Sequence, residues 1–567
     1  ESLFAHQFME VKKLNSLVEL YFEKLNEVDK DKPFLKWLKP NKSIYTWFQV
    51  SERIFKLTNK IKSIIKNGDR CLILSENRPY WLMSDIAIMN AGGISVPIFT
   101  TYSLNDYKYI LNDCKPSIII VSNNDQFKKI KNFINSEVKE IISFEAIEYN
   151  SLLVTEILKS DDNKKIVNKN LKRHMPACII YTSGTSGNPK GVILSHGGIL
   201  ANCEGALDLL NPLIKKKSPI FLTWLPLSHS YEHAVQFIQI LTGAKVFYAE
   251  SLDKLLSNMA VAKPTIMTAV PRFYQNLYNK INNNLKKQKG FKKYLINKTI
   301  DLGIKSLKKQ NLKIHEKLLN FICQILVRKK IQKQFGGNLQ TFVSGGGALD
   351  KNIGEFLNAV GLPTLQGYGL TETSPVVSCN LPGNIKVETV GPPFKTNKVK
   401  IAQDGEILVK GENVMLGYWN KEKETNETIK NGWLHTGDIG EFDNNGYLKI
   451  TDRKKDIIVN LGGDNISPTK VENHFCNHEL IKQCLVYGDK KNYLVALIVV
   501  ESKDKDNSTI GSIIENLNKD LTLIEKIKKF ILIEDEFTIE NGLMTPTLKL
   551  KRKKIIEKYQ QELEKLY

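Results

Sequence analysis

The feature that most constrains this chain is the alternation of short apolar, β-rich segments with helical patterns over about its first 370 residues. Strands that are apolar along their whole length are buried on both faces, as in parallel sheets covered by helices. We therefore predict a layered α/β architecture for this part of the chain. The predicted strands are Cys71–Ser75, Ser117–Ser122, Cys178–Thr182, Ile220–Trp224, Lys245–Tyr248, Thr265–Val270 and Thr341–Ser344, with helices at Trp81–Ala91 and Lys351–Val360.

The pattern changes from about Gly391 onward. Lys398–Ala402, Gly405–Lys410 and Gly440–Thr451 alternate in polarity around Asn/Asp-Gly turns, which is typical of antiparallel sheet. A charged run at Asp452–Asp456 separates them from a compact α+β tail. We predict an α/β fold class with two domains. The large N-terminal domain, residues 1–454, has layered α/β subdomains plus a distorted antiparallel β subdomain, and residues 455–567 form a small mobile α+β domain.

The composition is that of an ordinary globular protein, with 42% hydrophobic and 25% charged residues. Its unusual feature is a formal charge of +21, which admits anionic partners, although the lysines are mostly dispersed. Residues 275–335 are the exception, because basic clusters alternate there with apolar residues. Such a surface can rest on an anionic membrane, and a solvated helical insertion is the alternative. The clusters are Lys286–Lys287, Lys292–Lys293, Lys308–Lys309 and Arg328–Lys330.

Three features bear on the compartment. No run of about 18 apolar residues could span a bilayer, and the first residues show no basic segment followed by an apolar one. The eight cysteines are scattered and form no C-x-x-C pair. We expect a cytoplasmic protein without nucleic-acid partners. If the basic segment binds lipid, the protein would lie peripherally on the inner face of a membrane.

The strongest chemical signal is the loop Tyr181–Gly191, directly after a predicted strand. Glycines let backbone N–H groups approach phosphate oxygens, hydroxyls add donors, and a lysine adds a point charge. The spacing is not that of a Walker motif. We predict a phosphate-binding loop formed by Thr182, Ser183, Gly184, Thr185, Ser186, Gly187 and Lys190.

Two further glycine-rich segments, Ser344–Ala348 and Gln366–Thr373, also follow predicted strands. The carboxyl edge of a parallel sheet is where open α/β folds bind ligands. Tyr368 offers a flat face for a base, and Glu372 offers a hard oxygen ligand suited to Mg²⁺. Each residue alone would be unremarkable, and their position beside the glycines indicates a nucleotide site.

Five segments together resemble the motifs of the adenylate-forming superfamily, in that family's order along nearly the whole chain. That superfamily contains acyl-CoA synthetases, luciferases and the adenylation domains of peptide synthetases. Within it, Trp224–His233 and Ala269–Tyr274 are similar to segments of the long-chain fatty acyl-CoA synthetases. The five segments are Tyr181–Gly191, Gln366–Pro375, Thr436–Asp438, Asp452–Asp456 and Thr545–Arg552.

The resemblance implies a role for each matching residue. Thr371 would meet the α-phosphate and Glu372 the metal, while Asp438, helped by Arg453, would hold the ribose hydroxyls. Lys549 matches the adenylation lysine. The nucleotide pocket would be lined by Gly345, Gly346, Gly347, Ala348, Gln366, Gly367, Tyr368 and Gly369, with Tyr368 against the base.

The implied reaction has two steps, with ATP and CoA as cosubstrates. A fatty acid and ATP give acyl-AMP and pyrophosphate, with Lys190 and a Glu372-bound Mg²⁺ on the phosphates and Lys549 bridging the reacting groups. CoA then gives acyl-CoA and AMP after the small domain turns about the hinge residue Lys455, which brings Gly462 and Gly463 near the thiol.

His229 and Glu232 lie three residues apart just beyond a predicted strand, where a helix would place them on one face. The resemblance places this stretch beside the acyl tunnel and the reacting carboxylate. We expect these residues to position the acid, and a purely structural histidine is the alternative. Two other functions stay open: a ligase that loads a carrier protein, and an inactive protein of fatty-acid binding or uptake.

Overall fold

The computed structural model describes residues 9–39, 43–182, 188–501 and 506–567. The seven predicted strands and two predicted helices are all present, with ends within two residues of the predicted ones. The strands Lys245–Tyr248 and Thr341–Ser344 have the predicted bounds. The prediction of a mixed α/β fold, with a large N-terminal part and a small C-terminal domain, is confirmed.

The first eight-stranded sheet is parallel over six adjacent strands and ends in two antiparallel ones. Its central strands are apolar and buried on both faces, which explains why they are readable from the sequence. In spatial order the strands are Gly417–Tyr418, Gly191–Ser195, Pro176–Tyr181, Ile94–Pro97, Arg70–Leu74, Ile118–Val121, Glu140–Ser143 and Leu152–Leu153.

The second eight-stranded sheet has six parallel strands between two antiparallel edge strands. Consecutive residues of these strands pack into different hydrophobic clusters. Phe221 and Ile266 belong to one cluster, whereas the residues that follow them, Leu222 and Met267, belong to another. In spatial order the strands are Val376–Cys379, Thr364–Gly369, Thr341–Ser344, Ile266–Ala269, Ile220–Thr223, Lys245–Tyr248, Pro33–Trp37 and Ile44–Thr46.

The predicted hairpins form an antiparallel five-stranded sheet of Asn397–Ile401, Glu406–Gly411, Ile429–Lys430, Trp433–Phe442 and Leu448–Arg453. After it come a small two-stranded hairpin, Ile458–Val459 with Asn465–Ile466, and the C-terminal domain. The described residues of that domain form a sheet of Ile481–Tyr487, Leu494–Val500 and Ile527–Leu532, with helices packed against it.

Helices cover the faces of these sheets, and none among the described residues is long and apolar enough to cross a membrane. In the large N-terminal part the α-helices are Leu17–Glu27, Trp47–Lys62, Pro79–Asn90, Leu104–Cys114, Asn124–Ile130, Val154–Leu158, His196–Gly205, Leu207–Ile214, Ser230–Leu241, Leu255–Ala262, Pro271–Lys286, Gly290–Leu307, Ile314–Cys323, Lys329–Gln334, Lys351–Ala359 and Glu422–Thr428. The C-terminal domain contains Pro468–Cys476, Asn507–Asn518 and Arg552–Glu564.

Candidate active site

One large cleft of about 2250 Å³ is lined by most of the described residues that the sequence singled out. It is lined by the ends of strands from both eight-stranded sheets, by the antiparallel sheet and by the C-terminal domain. Thr182, Gly345 and Lys549 therefore line the same cleft, although they come from distant parts of the chain. This is the carboxyl-edge location that the parallel strands predict.

The two residues at the ends of the predicted phosphate loop, Thr182 and Lys190, are hydrogen-bonded to each other. The Thr182 N–H donates to the Lys190 carbonyl at 2.9 Å, and the Lys190 N–H donates to Thr182 Oγ1 at 3.1 Å. These bonds extend the pairing of Pro176–Tyr181 with Gly191–Ser195. The other predicted loop residues, Ser183, Gly184, Thr185, Ser186 and Gly187, lie outside the described residues.

Tyr418 connects two of the predicted catalytic residues and was not found from the sequence. Its hydroxyl donates to Glu372 Oε1 at 3.0 Å, and Lys190 Nζ lies 4.8 Å from the centroid of its ring. A cation over an aromatic face is attracted by the ring quadrupole. Tyr418 thus fixes both the lysine and the carboxylate. No local motif marks it, because it reaches the site through the pairing of Gly417–Tyr418 with strand Gly191–Ser195.

Thr371 lies beside Glu372 in a short 3-10 turn. Its Oγ1 is 3.2 Å from Ser230 Oγ, at the beginning of the Ser230–Leu241 helix. The Glu372 carbonyl accepts from the Met415 N–H at 2.8 Å. Contacts from two other segments therefore fix the backbone and hydroxyl of this turn, as expected for a preorganised site.

The two glycine segments form one wall of the cleft, and Gly345 needs its small size. A Cβ added there would lie 2.8 Å from Tyr231 Cε1, and Tyr231 is held by its hydroxyl on the Val343 carbonyl at 2.9 Å. Gln366 lines the cleft, but its side-chain amide hydrogen-bonds to backbone groups within the wall. Its Oε1 accepts from the Leu349 N–H at 2.7 Å and its Nε2 donates to the Thr389 carbonyl at 3.1 Å.

Tyr368, which the resemblance assigns to the base, lies in contact with Asp438, which it assigns with Arg453 to the ribose. The Tyr368 hydroxyl donates to Asp438 Oδ2 at 2.6 Å, and Arg453 Nε lies 3.2 Å from Asp438 Oδ1. Asp438 and Arg453 face each other across the pairing of Trp433–Phe442 with Leu448–Arg453. The carboxylate is thus held from two sides at the edge of the cleft.

Lys549 enters the cleft from a tight turn of the C-terminal domain. The Thr545 N–H donates to the Lys549 carbonyl at 2.8 Å, and Leu548 has a left-handed backbone with φ of 65°. The lysine side chain reaches the glycine wall, since a Cβ added at Gly347 would lie 3.7 Å from Lys549 Cε.

Solvent still reaches this side chain through the cleft. The surrounding protein nevertheless displaces much of the water, and the charge of Arg453 adds to the effect. Together they lower the pKa of Lys549 to about 8, against the opposing charge of Asp438.

His229 and Glu232 border the same small pocket next to the cleft. His229 Nδ1 caps the Ser230–Leu241 helix by accepting from the Tyr231 N–H at 3.1 Å. Removal from water, with a smaller effect of the Lys549 charge, lowers the pKa of His229 to about 4, so this imidazole is neutral at pH 7. Glu232 is 1% exposed and accepts from the Thr268 hydroxyl at 2.7 Å. Burial raises the pKa of Glu232 to about 8.

A second part of the cleft is apolar and was not predicted residue by residue. Its lining belongs to one hydrophobic cluster and comes from two helices, Leu207–Ile214 and Ser230–Leu241, from strands of the second sheet and from the segment around Phe394. The apolar lining residues include Leu209, Leu210, Phe221, Val235, Ile266 and Phe394. An apolar branch with a few polar groups at its mouth is a common form of a small-molecule site.

Lys455 lines the cleft, whereas Gly462 and Gly463 do not. The two glycines form the exposed turn of the hairpin Ile458–Val459 with Asn465–Ile466. Gly463 has φ of 85°, a conformation that a tight turn requires and glycine allows. Burial, followed by smaller effects that include the charges of Arg453 and Lys190, lowers the pKa of Lys455.

The chain belongs to the AMP-binding enzyme family. The model of AMP-binding enzymes matches residues 22–419, and the model of the AMP-binding enzyme C-terminal domain matches residues 455–567. The resemblance that the motifs indicate is thereby confirmed.

Curated relatives align along most of the chain. Long-chain-fatty-acid--CoA ligase FadD15 of Mycobacterium bovis is 32% identical, and the alignment covers 89% of this chain and 88% of the relative. Long-chain-fatty-acid--CoA ligase 5 of Rattus norvegicus is 29% identical, with 96% and 88% covered. Long chain acyl-CoA synthetase 6, peroxisomal, of Arabidopsis thaliana is 32% identical, with 87% and 76% covered.

Solved structures share the fold at low sequence identity. The anthranilate CoA ligase AuaEII in complex with anthranoyl-AMP has a TM-score of 0.76 at 20% identity, covering 97% of this chain and 99% of that one. ATP-bound MatB from Rhodopseudomonas palustris has a TM-score of 0.74 at 20% identity, covering 96% and 99%. The fold is therefore that of adenylate-forming enzymes.

Proposed function

We propose that this protein is an AMP-forming long-chain fatty acid–CoA ligase. ATP and a fatty acid give acyl-AMP and pyrophosphate, and CoA then gives acyl-CoA and AMP. The observation that carries the proposal is a single cleft with two unlike parts: a glycine-walled polar part that Lys549 enters, and an apolar part beyond Tyr231. The curated relatives named as long-chain ligases support the same substrate class.

In the adenylation step the fatty carboxylate attacks the α-phosphorus of ATP, so an O–P bond forms and pyrophosphate leaves. We propose that Lys549 lies between the two reacting anions, and that Lys190 holds the outer phosphates together with the loop Thr182–Gly187. Thr371 would donate to the α-phosphate, and Asp438 would hold the ribose. Placement and charge neutralisation supply most of the catalysis in such a step.

The residues present fit a magnesium ion beside the phosphates. Glu372 offers a carboxylate, and Tyr418 orients it through the 3.0 Å hydrogen bond while Lys190 lies over the face of the Tyr418 ring. Mg²⁺ prefers one or two carboxylates plus phosphate oxygens. When bound at Glu372, the ion would neutralise charge on the leaving pyrophosphate.

For the thioester step we propose that the chain divides into residues 1–454 and 455–567, and that the second domain turns about Lys455. The thiol of CoA attacks the acyl carbonyl, and AMP leaves with the former carboxyl oxygen. The exposed Gly462–Gly463 turn would then approach the thiol. A turn of two glycines allows close approach of the backbone.

We also propose a cytoplasmic setting, which the cysteines support. All eight are free thiols and seven are buried, so the fold uses none of them as a crosslink. Proteins of oxidising compartments more often carry disulfides. To test this, thiols are alkylated rapidly in cell extract and the protein is run on a non-reducing gel. No disulfide-linked fraction is expected, and a disulfide-linked fraction would contradict the cytoplasmic setting.

One assay distinguishes the ligase from the two other candidates. Purified protein is incubated with palmitate, ATP and Mg²⁺, with and without CoA, and AMP, acyl-AMP and acyl-CoA are quantified. Acyl-CoA is expected only when CoA is present. Acyl-AMP that CoA does not consume favours a ligase for a carrier protein. Palmitate binding without pyrophosphate–ATP exchange favours an inactive binding or uptake protein and refutes the proposal.

A further inference from the structure

The helix Ile314–Cys323 and the short π-helix Gln324–Arg328 that continues it present a row of apolar side chains to solvent. Ile314, Leu318, Phe321 and Ile325 follow each other at spacings of four, three and four residues, which places them on one face of a helix. Their exposed fractions are 88%, 64%, 62% and 42%. We call these four residues the apolar row.

The apolar row is not a loosely packed edge of the core. Cys323 and Val327, from the opposite face of the same segment, are buried in the hydrophobic cluster that covers the second sheet. The segment is thus anchored on one face and presents four large apolar residues on the other. Single exposed hydrophobic residues are ordinary, but a contiguous group usually marks a contact surface.

An aromatic pair lies on the neighbouring helix Gly290–Leu307. Phe291 and Tyr294 are 69% and 49% exposed, and their ring centroids are 6.3 Å apart. The two helices run side by side here, because Cys323 Sγ contacts the Leu295 carbonyl at 3.7 Å. Lys298 Nζ lies 5.9 Å from the centroid of the Tyr294 ring. Aromatic rings beside lysines are common where a protein meets the lipid–water boundary.

The charge around these side chains has one sign. Residues 280–333 contain sixteen Lys and Arg against two acidic residues, Asp301 and Glu316, and so carry +14 of the chain's +21. Glu316 is itself paired with Lys305 at 2.8 Å. Most of these lysines are exposed, including Lys313, Lys317, Lys329 and Lys330. The apolar row therefore lies in a strongly positive field.

We propose that the apolar row and the lysines around it form a docking surface for an anionic lipid bilayer, with the row inserted among the acyl chains and the lysines at the headgroups. A second copy of the chain fits poorly, because two copies of this strongly basic segment would repel each other. A nucleic acid would use the lysines but gives no reason for four exposed apolar residues in a row. A helix with one apolar face and lysines around it has the pattern of an interfacial membrane helix.

The proposed membrane contact depends on this surface and does not require the reaction in the cleft. If the protein is the ligase proposed above, the contact would place it where its water-insoluble acid resides. The test therefore measures binding and activity separately, so that failure of one does not imply failure of the other.

The experiment is sedimentation of the full chain with vesicles of phosphatidylcholine alone or with about 30% phosphatidylserine, a composition that makes the surface anionic. The lipid-free fold is checked by circular dichroism, and activity by AMP release with albumin-bound palmitate. Variant one is Leu318→Ser with Phe321→Ser. Variant two replaces Lys292, Lys293, Lys329 and Lys330 by Gln. Matched controls are Leu104→Ser with Leu252→Ser, and Gln at Lys62, Lys66, Lys159 and Lys169. All six positions are exposed and lie outside residues 275–335.

Wild type and both controls should bind anionic vesicles, and weakly or not at all neutral ones, with binding that falls as salt is raised. Each test variant should lower the partition coefficient at least tenfold, because the first loses apolar side chains that would insert and the second loses four positive charges at the headgroups. Activity with albumin-bound palmitate should stay at the wild-type level. Equal binding to both vesicle types, or wild-type binding by the Leu318/Phe321 variant, would overturn the proposal. So would retention on RNA or DNA without any vesicle binding.

Discussion

The burial of Glu232 makes a quantitative prediction about pH. The folded carboxyl has a pKa of about 8, because burial removes water from the ionised form, against an ordinary value of 4.5. Between these two values the folded protein binds a proton that the unfolded chain has released. The folded state binds more protons, so stability must fall as pH rises from 4.5 to 8. At about 1.4 kcal/mol per unit of pKa, the loss from this one group approaches about 5 kcal/mol above pH 8 and is about 3 kcal/mol at pH 7.

Glu232→Gln removes that loss without removing the hydrogen bond from Thr268, because the amide oxygen still accepts and has no proton to release. The variant should match wild type near pH 5 and become more stable as pH rises. About 1 kcal/mol corresponds to about 2–4 °C in a domain of 150–250 residues. We therefore expect the difference in Tm to grow by several degrees between pH 5.5 and 8.5.

The assay is differential scanning fluorimetry of both proteins across that range. Glu137→Gln is the matched control, because Glu137 is exposed and its substitution should leave no pH-dependent difference. A difference in Tm between the Glu232 variant and wild type that is constant with pH would refute the reasoning. It would show that the folded carboxyl does not hold a proton beyond the pH at which an unfolded one releases it.

Four further predictions concern the reaction. Lys549→Ala should lower palmitate-dependent pyrophosphate–ATP exchange about 10²–10³-fold but leave conversion of supplied palmitoyl-AMP to palmitoyl-CoA intact, and equal loss of both steps would contradict the assigned role. The charge of Lys549 is lost as pH rises through its pKa of about 8, so kcat/KM for adenylation should fall above pH 8 in wild type and hold to higher pH in Lys549→Arg. Tyr418→Phe keeps the ring under Lys190 but loses the hydrogen bond to Glu372. Its pyrophosphate–ATP exchange should respond about 10–100-fold more weakly to Mg²⁺, and that of Tyr418→Leu more weakly still. An unchanged Mg²⁺ titration of the Phe variant would exclude this role. Lys455→Pro should slow overall acyl-CoA formation more than either separately assayed half-reaction, and normal overall turnover would count against a hinge there.

The sequence predicts the parallel strands well because their burial leaves a strong local signal. Lys245–Tyr248 is apolar at three of its four positions and lies inside the second sheet, so length and composition suffice to find it. Pro33–Trp37 was not predicted as a strand. It contains a lysine and begins with proline, and its parallel pairing with Lys245–Tyr248 joins segments about 200 residues apart. Such pairing depends on tertiary contacts that no local pattern encodes.

The candidate site likewise contains residues that local motifs identify and residues that depend on tertiary contacts. Tyr368, Asp438, Arg453 and Lys549 could be placed from motifs, and the structure brings them to one cleft. Tyr418 and the apolar lining could not be placed, because their positions follow from how strands and helices pack. The left-handed backbone of Leu548 is a further case. Nothing in a leucine indicates φ of 65°, yet that turn directs the next residue, Lys549, into the cleft.

Contacts within the C-terminal domain indicate that the two proposed steps need two positions of this domain. Arg552, at the beginning of the helix Arg552–Glu564 just after Lys549, pairs with Glu472 at 2.9 Å. That helix also holds Lys491 through Glu564 at 2.6 Å, and the Lys491 carbonyl accepts from the Leu461 N–H beside the Gly462–Gly463 turn at 3.0 Å.

This chain of contacts makes the lysine turn and the glycine turn parts of one packed domain. The lysine now enters the cleft while the glycine turn lies outside it, so bringing the glycines to the cleft must withdraw the lysine. If both serve the reaction as proposed, the domain alternates between the two positions. A disulfide between the domains that fixes the present arrangement should then permit adenylation and block thioester formation.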